Sequence, residues 1–202
     1  MRYLAIAFLS GLLAAACHTP TPASPSHGPA VGPVEQWVGP VSYGGRDGIS
    51  LGLDATQGRP ALCLRGNPFA EGWTPVPRSE LPPSTLAWVN NATEAPLFVS
   101  EIIRRDESAA DIAEAFRDLL GANDLIFSDV LVSDDRQTSE FAFVDSFGVI
   151  MGHAVVRTYE DTPEYAVRVM GIAPFWMRAE NEAFVSDVAS RLFYLRVTPE
   201  DE

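Results

Sequence analysis

Lysine is missing from this chain. All 14 basic residues are arginine, against 27 aspartates and glutamates, and the formal net charge is −13. Nucleic acids and anionic lipid surfaces are recognised through a positive footprint, so this balance argues against both as partners. An acidic surface favours solubility, and it also suits basic or cationic partners. The lack of lysine beside abundant alanine and proline points to a GC-rich genome rather than to a folding requirement. Cysteine is scarce, with only two in 202 residues. Histidine is scarce too, and of the three only His153 lies beyond the N-terminal segment. No HExxH or CxxC motif occurs. Catalysis needs a nucleophile, a base and an orienting group, and no such set can be assembled from these residues. No run of about 20 apolar residues is present, so no transmembrane helix is expected.

What is present begins at the N-terminus. Met1 and Arg2 give a positive start, residues 3–13 an apolar core, and Ala14, Ala15 and Ala16 a small-residue stretch before Cys17. That is the layout of a secretory signal. A cysteine at this place resembles the bacterial lipobox, although Ala14 stands where leucine is commonest and Leu13 is one position early. The resemblance implies cleavage before Cys17, diacylation of its thiol and acylation of the new N-terminus. A plain signal peptide with an accidental cysteine is the alternative. One acyl chain binds a membrane marginally, and two or more anchor stably. His18 follows where aspartate would imply retention at an inner membrane, so the resemblance favours the outer one.

Residues 18–40 are rich in Pro, Thr, Ser, Ala and Gly. Such a segment cannot bury enough surface to offset chain entropy and reads as a Pro-stiffened tether. Its histidines, His18 and His27, are solvated tether residues and not a metal site. The expected organisation is therefore a lipoprotein signal peptide over residues 1–16, a lipidated cysteine and tether over 17–40, and one globular domain over 41–202.

Within that domain, Ile49, Leu51 and Leu53 alternate with polar residues after Gly44, Gly45 and Gly48, which gives a hairpin. Residues 65–83, with five prolines, read as an irregular connection in which Trp73 pins the loop to the core. Strands are expected at residues 86–89 and 97–105. The period then changes. Ser108 and Asp111 have capping-box spacing, and Ile112, Phe116, Leu119 and Leu120 form a helical stripe ended by Gly121. Strands follow at 125–132, 140–144, 149–159 and 165–172, and a second helix is expected over residues 179–195, with Phe184, Val188 and Leu192 at steps of four. The fold class is α+β, a largely antiparallel sheet packed with two main helices.

Strand, helix, antiparallel strands, helix is an order that resembles the PsbP-like fold of photosystem accessory proteins and small bacterial envelope lipoproteins. Residues 97–195 carry the resemblance. Residues 169–184, VMGIAPFWMRAENEAF, resemble that family's penultimate strand, apolar-Gly-apolar, running into an acidic helix opening. The family's opening strands cannot be placed on residues 65–83. The resemblance implies a non-catalytic accessory or assembly factor and names no ligand.

Cys63 reads as a small buried hydrophobe, with a nucleophilic thiol based on His153 as the sharper alternative. Asp134 and Asp135, with Glu160 and Asp161, sit at turns, where Asp is favoured. A hard cation between them is a minor alternative whose spacing fits no EF-hand. No cofactor and no metal are expected.

Phe175, Trp176 and Met177 are three large apolar residues between the last sheet strand and the last helix, next to Arg178. They either fold down over the core or remain exposed as an aromatic anchor. Phe175, Trp176 and Arg178 are the partner-binding candidates, and a partly exposed apolar patch is expected around Trp176 and Arg178. The functional reading is a lipid-anchored, non-catalytic envelope module that binds a protein partner. A carrier of a small apolar ligand is the alternative, and a thiol hydrolase using Cys63 a weaker one.

Overall fold

A computed structural model describes residues 39–43, 46–51, 60–69, 71–82, 84–104 and 106–195, with the side chains of 39–50 left aside. Residues 1–16, Cys17, His18, His27 and the tether up to residue 38 lie outside the described residues.

The large sheet is antiparallel throughout. Its strands are β4 (Trp73–Pro75), β5 (Thr85–Asn90), β6 (Pro96–Ile103), β7 (Leu125–Phe127), β8 (Leu131–Val132), β9 (Thr138–Asp145), β10 (Ile150–Thr158) and β11 (Tyr165–Pro174). They lie in the order β4-β5-β6-β11-β10-β9-β7, and β8 pairs with β9. A smaller sheet, β1 (Gly39–Tyr43), β2 (Arg46–Ser50), β3 (Ala61–Leu64) and β12 (Leu192–Leu195), has the order β1-β2-β3-β12. Helix α1 is Ala109–Leu120 and helix α2 is Arg178–Arg191. This is the α+β architecture expected from the sequence, and the run β6, α1, β7 to β11, α2 is its strand-helix-strands-helix order.

Alternation along each strand sends successive side chains to opposite faces. Leu86 and Trp88 of β5, Leu97 and Val99 of β6, and Val167 and Val169 of β11 join Val185 and Val188 of α2 in one core. Leu62 and Leu64 of β3 and Leu192 and Tyr194 of β12 enter the same core, so α2 and the small sheet cover one face together. On the other face Phe98, Phe141, Phe143, Val156 and Met170 pack against Ala109, Ala113, Phe116 and Leu120 of α1. The molecule is thus layered, with the large sheet in the middle.

Local chemistry explains α1. Ser108 Oγ accepts from Asp111 N at 3.2 Å, and Asp111 Oδ2 accepts from Ser108 N at 2.9 Å, a complete capping box. Ser108 Oγ also donates to Asp111 Oδ2 at 2.7 Å, and this bond foremost, with that from Ser108 N, holds the Asp111 carboxyl below its ordinary range. Gly121 caps the end of the helix, as expected, its N–H donating to the carbonyls of Arg117 and Asp118. It is right-handed, so the chain runs on through a 3-10 turn, and Asp124 takes the left-handed conformation at φ 54°. Asp tolerates that region better than most residues.

Two corrections follow from pairing. Residues 65–83 hold strand β4, formed because Trp73, Thr74 and Pro75 pair with Asn90, Val89 and Trp88. Trp73 does pin this segment, as expected, with its ring stacked 4.8 Å from that of Phe184. The second helix ends at Arg191, not 195. Residues 192–195 are β12, which pairs with β3 from Leu192–Leu64 to Leu195–Ala61. Arg157 closes the C-terminal end of α2 by donating to the carbonyls of Ala189 and Ser190 at 3.0 and 3.1 Å. Carbonyls of the last turn lack an i+4 donor within the helix, and Ala189 O also accepts from Leu192 N just beyond it.

Candidate functional site at the sheet tip

Antiparallel hairpins bring distant residues to one end of the sheet. Leu125 pairs with Asp145, Met151 with Val144, and Ile150 with Pro174. The ends of β7, β9, β10 and β11 therefore line up, and with strands about 4.8 Å apart they span about 14 Å. The β9–β10 turn is closed by Asp145. Its Oδ1 accepts from Val149 N at 2.7 Å and Ile150 N at 2.8 Å, and Gly148 supplies the positive φ the turn requires. The next strand end is tied to this turn, because Phe175 N donates to Val149 O at 2.9 Å.

The side chains carried by these segments are apolar and exposed. Phe147 is 86% exposed and Val149 54%; across the shared hydrogen bond, Phe175 is 46% and Trp176 76% exposed. Phe175–Met177 form a single 3-10 turn entered from Pro174. Trp176 and Phe175 do not fold over the core; only Met177 is half-buried. Arg178 is exposed and its Nε donates to Glu182 Oε1 at 2.8 Å. The patch expected around Trp176 and Arg178 is present. Its other half, Phe147 and Val149, reads in the sequence only as a turn. Nothing in that stretch signals that the turn is tied to Phe175.

The remaining candidates are not brought together. Cys63 lies in β3, fully buried, with its thiol directed at Ala61 O at 3.6 Å. Burial pushes the Cys63 thiol up to about 11. A nucleophile needs a populated thiolate, and burial at Cys63 disfavours one. Ionising this thiol costs stability in the folded state. That contribution is complete below the unfolded thiol value of about 8.5 and is lost as pH rises through about 11. We expect native Cys63 to react with a maleimide at pH 8 at least ~100-fold more slowly than in urea. Equal rates in the two states would show an exposed thiol.

His153 sits on β10, buried, with Nε2 3.3 Å from Glu140 Oε2. Gly48, Ser50 and Gly52 have the spacing of a nucleophile elbow, which requires serine at a sharp turn between strand and helix. Ser50 is instead the last residue of β2, in antiparallel register with Cys63. The turn acids serve the turns. Asp135 Oδ1 accepts from Ser133 Oγ and from Gln137 N, and the Ser133 hydroxyl above all lowers its carboxyl. Gln137 Nε2 donates to Glu160 Oε1 at 2.8 Å. Among the described residues no three His, Cys, Asp or Glu side chains gather as metal ligands, and no helix is long and apolar enough to cross a membrane. The interior aromatics meet one another, Phe69 stacking on Trp88 at 4.1 Å between centroids.

No protein-family model matches the chain, and no curated protein matches it by sequence. Among solved structures it is similar to a point mutant of the protein Mog1, at 12% identity and TM-score 0.48, over 79% of this chain and 97% of that one. The Ran-binding protein Mog1p of Saccharomyces cerevisiae is similar at 12% identity and TM-score 0.48, over 77% of this chain and 94% of that one. The cyanobacterial PsbP (CyanoP) of Synechocystis is similar at 13% identity and TM-score 0.42, over 66% and 86%.

Proposed function

We propose that this chain is a lipid-anchored, non-catalytic module of the bacterial envelope that holds a protein partner on its aromatic tip. Cys17 carries the lipid, residues 18–40 form the tether, and His18 directs the protein to the outer membrane. The observation that carries the binding role is the exposure of Trp176, 76%, at the same end of the sheet as Phe147, 86%. Scattered surface apolar residues need no explanation. Here two separate turns, joined by the Phe175–Val149 backbone bond, each present large apolar side chains at the same end of the sheet. Trp and Phe beside Arg have the composition of interface centres.

The decisive experiment is Trp176→Ala. An exposed side chain contributes little to folding, so the change in stability should stay within about 0.5 kcal/mol. A binding hot spot is worth about 2 kcal/mol or more, so recovery of the partner from crosslinked envelopes should fall at least ~30-fold. A variant that is strongly destabilised, yet captures its partner whenever folded, would sink the proposal.

A further inference from the structure

We infer that the segment received by the aromatic tip is basic: an apolar stretch of a protein partner flanked by arginine or lysine. The inference rests on the docking reading above and gives it a partner chemistry. Its basis is the charge on the segments that build the tip. Residues 124–125, 145–150 and 174–182 contribute Asp124, Asp145, Glu180 and Glu182, and one cation, Arg178. Arg178 is already engaged by Glu182 at 2.8 Å. Asp124 and Glu180 are exposed. Asp145 directs one oxygen to the backbone of its turn.

Each carboxylate has a local reason to be there. Asp145 closes a turn, Asp124 occupies a left-handed position, and Glu180 and Glu182 lie in the first turns of α2, where the helix dipole favours an anion. Those roles do not fix the total, which leaves an apolar surface with a negative rim. Complementary charge steers encounter and rejects partners of the wrong sign. The same rim repels anionic lipid headgroups, so a membrane surface is the less suitable occupant. An arginine or lysine reaching the rim also meets the face of an exposed indole, a favourable cation–π geometry.

The test uses the full chain and two fluorescent synthetic peptides. Both carry the same leucine and phenylalanine face; one has arginine on its polar face and the other glutamate. The arginine peptide should bind at least ~10-fold tighter at low salt, and raising the salt should weaken it. Asp124→Asn with Glu180→Gln should bring the two peptides to within about threefold, because rim charges act on association. Asparagine keeps the left-handed position at 124. Trp176→Ala should weaken the arginine peptide at least ~10-fold. Equal affinity for the two peptides, with both lost in Trp176→Ala, overturns the basic partner and leaves aromatic docking standing. Binding that ignores Trp176→Ala overturns both. In a separate arm, vesicles of brominated phosphatidylcholine and phosphatidylglycerol should quench wild type and Trp176→Ala to the same fraction. Quenching that depends on Trp176 would assign the tip to lipid and end the inference.

Discussion

Gly171→Val is expected to remove about 3 kcal/mol of stability, a large part of the roughly 5–15 kcal/mol that holds a domain together. Gly171 is the point at which α2 rests on β11. A Cβ there would stand 2.4 Å from Asn181 Oδ1 and 2.5 Å from Val185 Cγ2. Asn181 is fixed in turn, since its Nδ2 donates to Gly171 O at 3.2 Å and reaches the sulfur of Met151 at 3.6 Å. Val185 is fully buried, with Val188 and Ala189 behind it on the same helix. A valine side chain must lift the helix, and lifting it opens the core that α2 shares with β3 and β12. Urea unfolding reads the effect as a lower midpoint. Gly148→Ala is the comparison. Gly148 has nothing within 4 Å of its missing Cβ, so that variant meets only the penalty of a positive φ, about 1 kcal/mol. If Gly171→Val costs no more than Gly148→Ala, α2 does not lie on β11 in the way described.

Cys17→Ser should move the chain from the membrane to the soluble fraction almost completely. The proposed anchor is covalent, and each buried methylene contributes about 0.8 kcal/mol, so several acyl chains hold where one does not. Serine accepts no thioether-linked lipid, and incorporation of labelled palmitate should vanish with the anchor. Stability should stay unchanged, because Cys17 precedes the domain described. Protein that still sediments with membranes in high salt would refute the lipid anchor. Combining Cys17→Ser with Trp176→Ala separates lipid attachment from capture by a membrane-bound partner. The first change alone should release a chain that still binds its partner, and the second should end that binding.

The contrast between α1 and β12 shows what a sequence makes legible. The start of α1 depends on Ser108 and Asp111, three residues apart, and local bonds are visible in local sequence. The β12 segment, LFYL, continues the four-residue spacing of Phe184 and Val188 and so reads as more helix. What makes it a strand is the edge of β3, remote in sequence, offered to Leu192 through Leu195. Trp73 reads correctly as a pin, yet the strand it stands in needs β5 for its partner. The tip divides in the same way. Phe175, Trp176 and Arg178 are neighbours in the chain and can be picked out together. Phe147 and Val149 become part of the same surface only once β9, β10 and β11 are in register.

The position of β12 has a consequence for the order in which the molecule is made. Cys63 in β3 finds its neighbour Phe193 only near the far end of the described chain, and Arg65 N likewise waits for Arg191 O at 3.0 Å. The small sheet therefore cannot be completed before residues 192–195 have been synthesised. Leu62 and Leu64, both buried in the finished protein, stay without their cover until the last strand arrives. Contacts between such distant segments form late and slowly. For the export proposed above that delay is a help, because a chain threads a secretion channel extended and premature folding would block its passage. In this fold the strand that completes the small sheet is the last of those described.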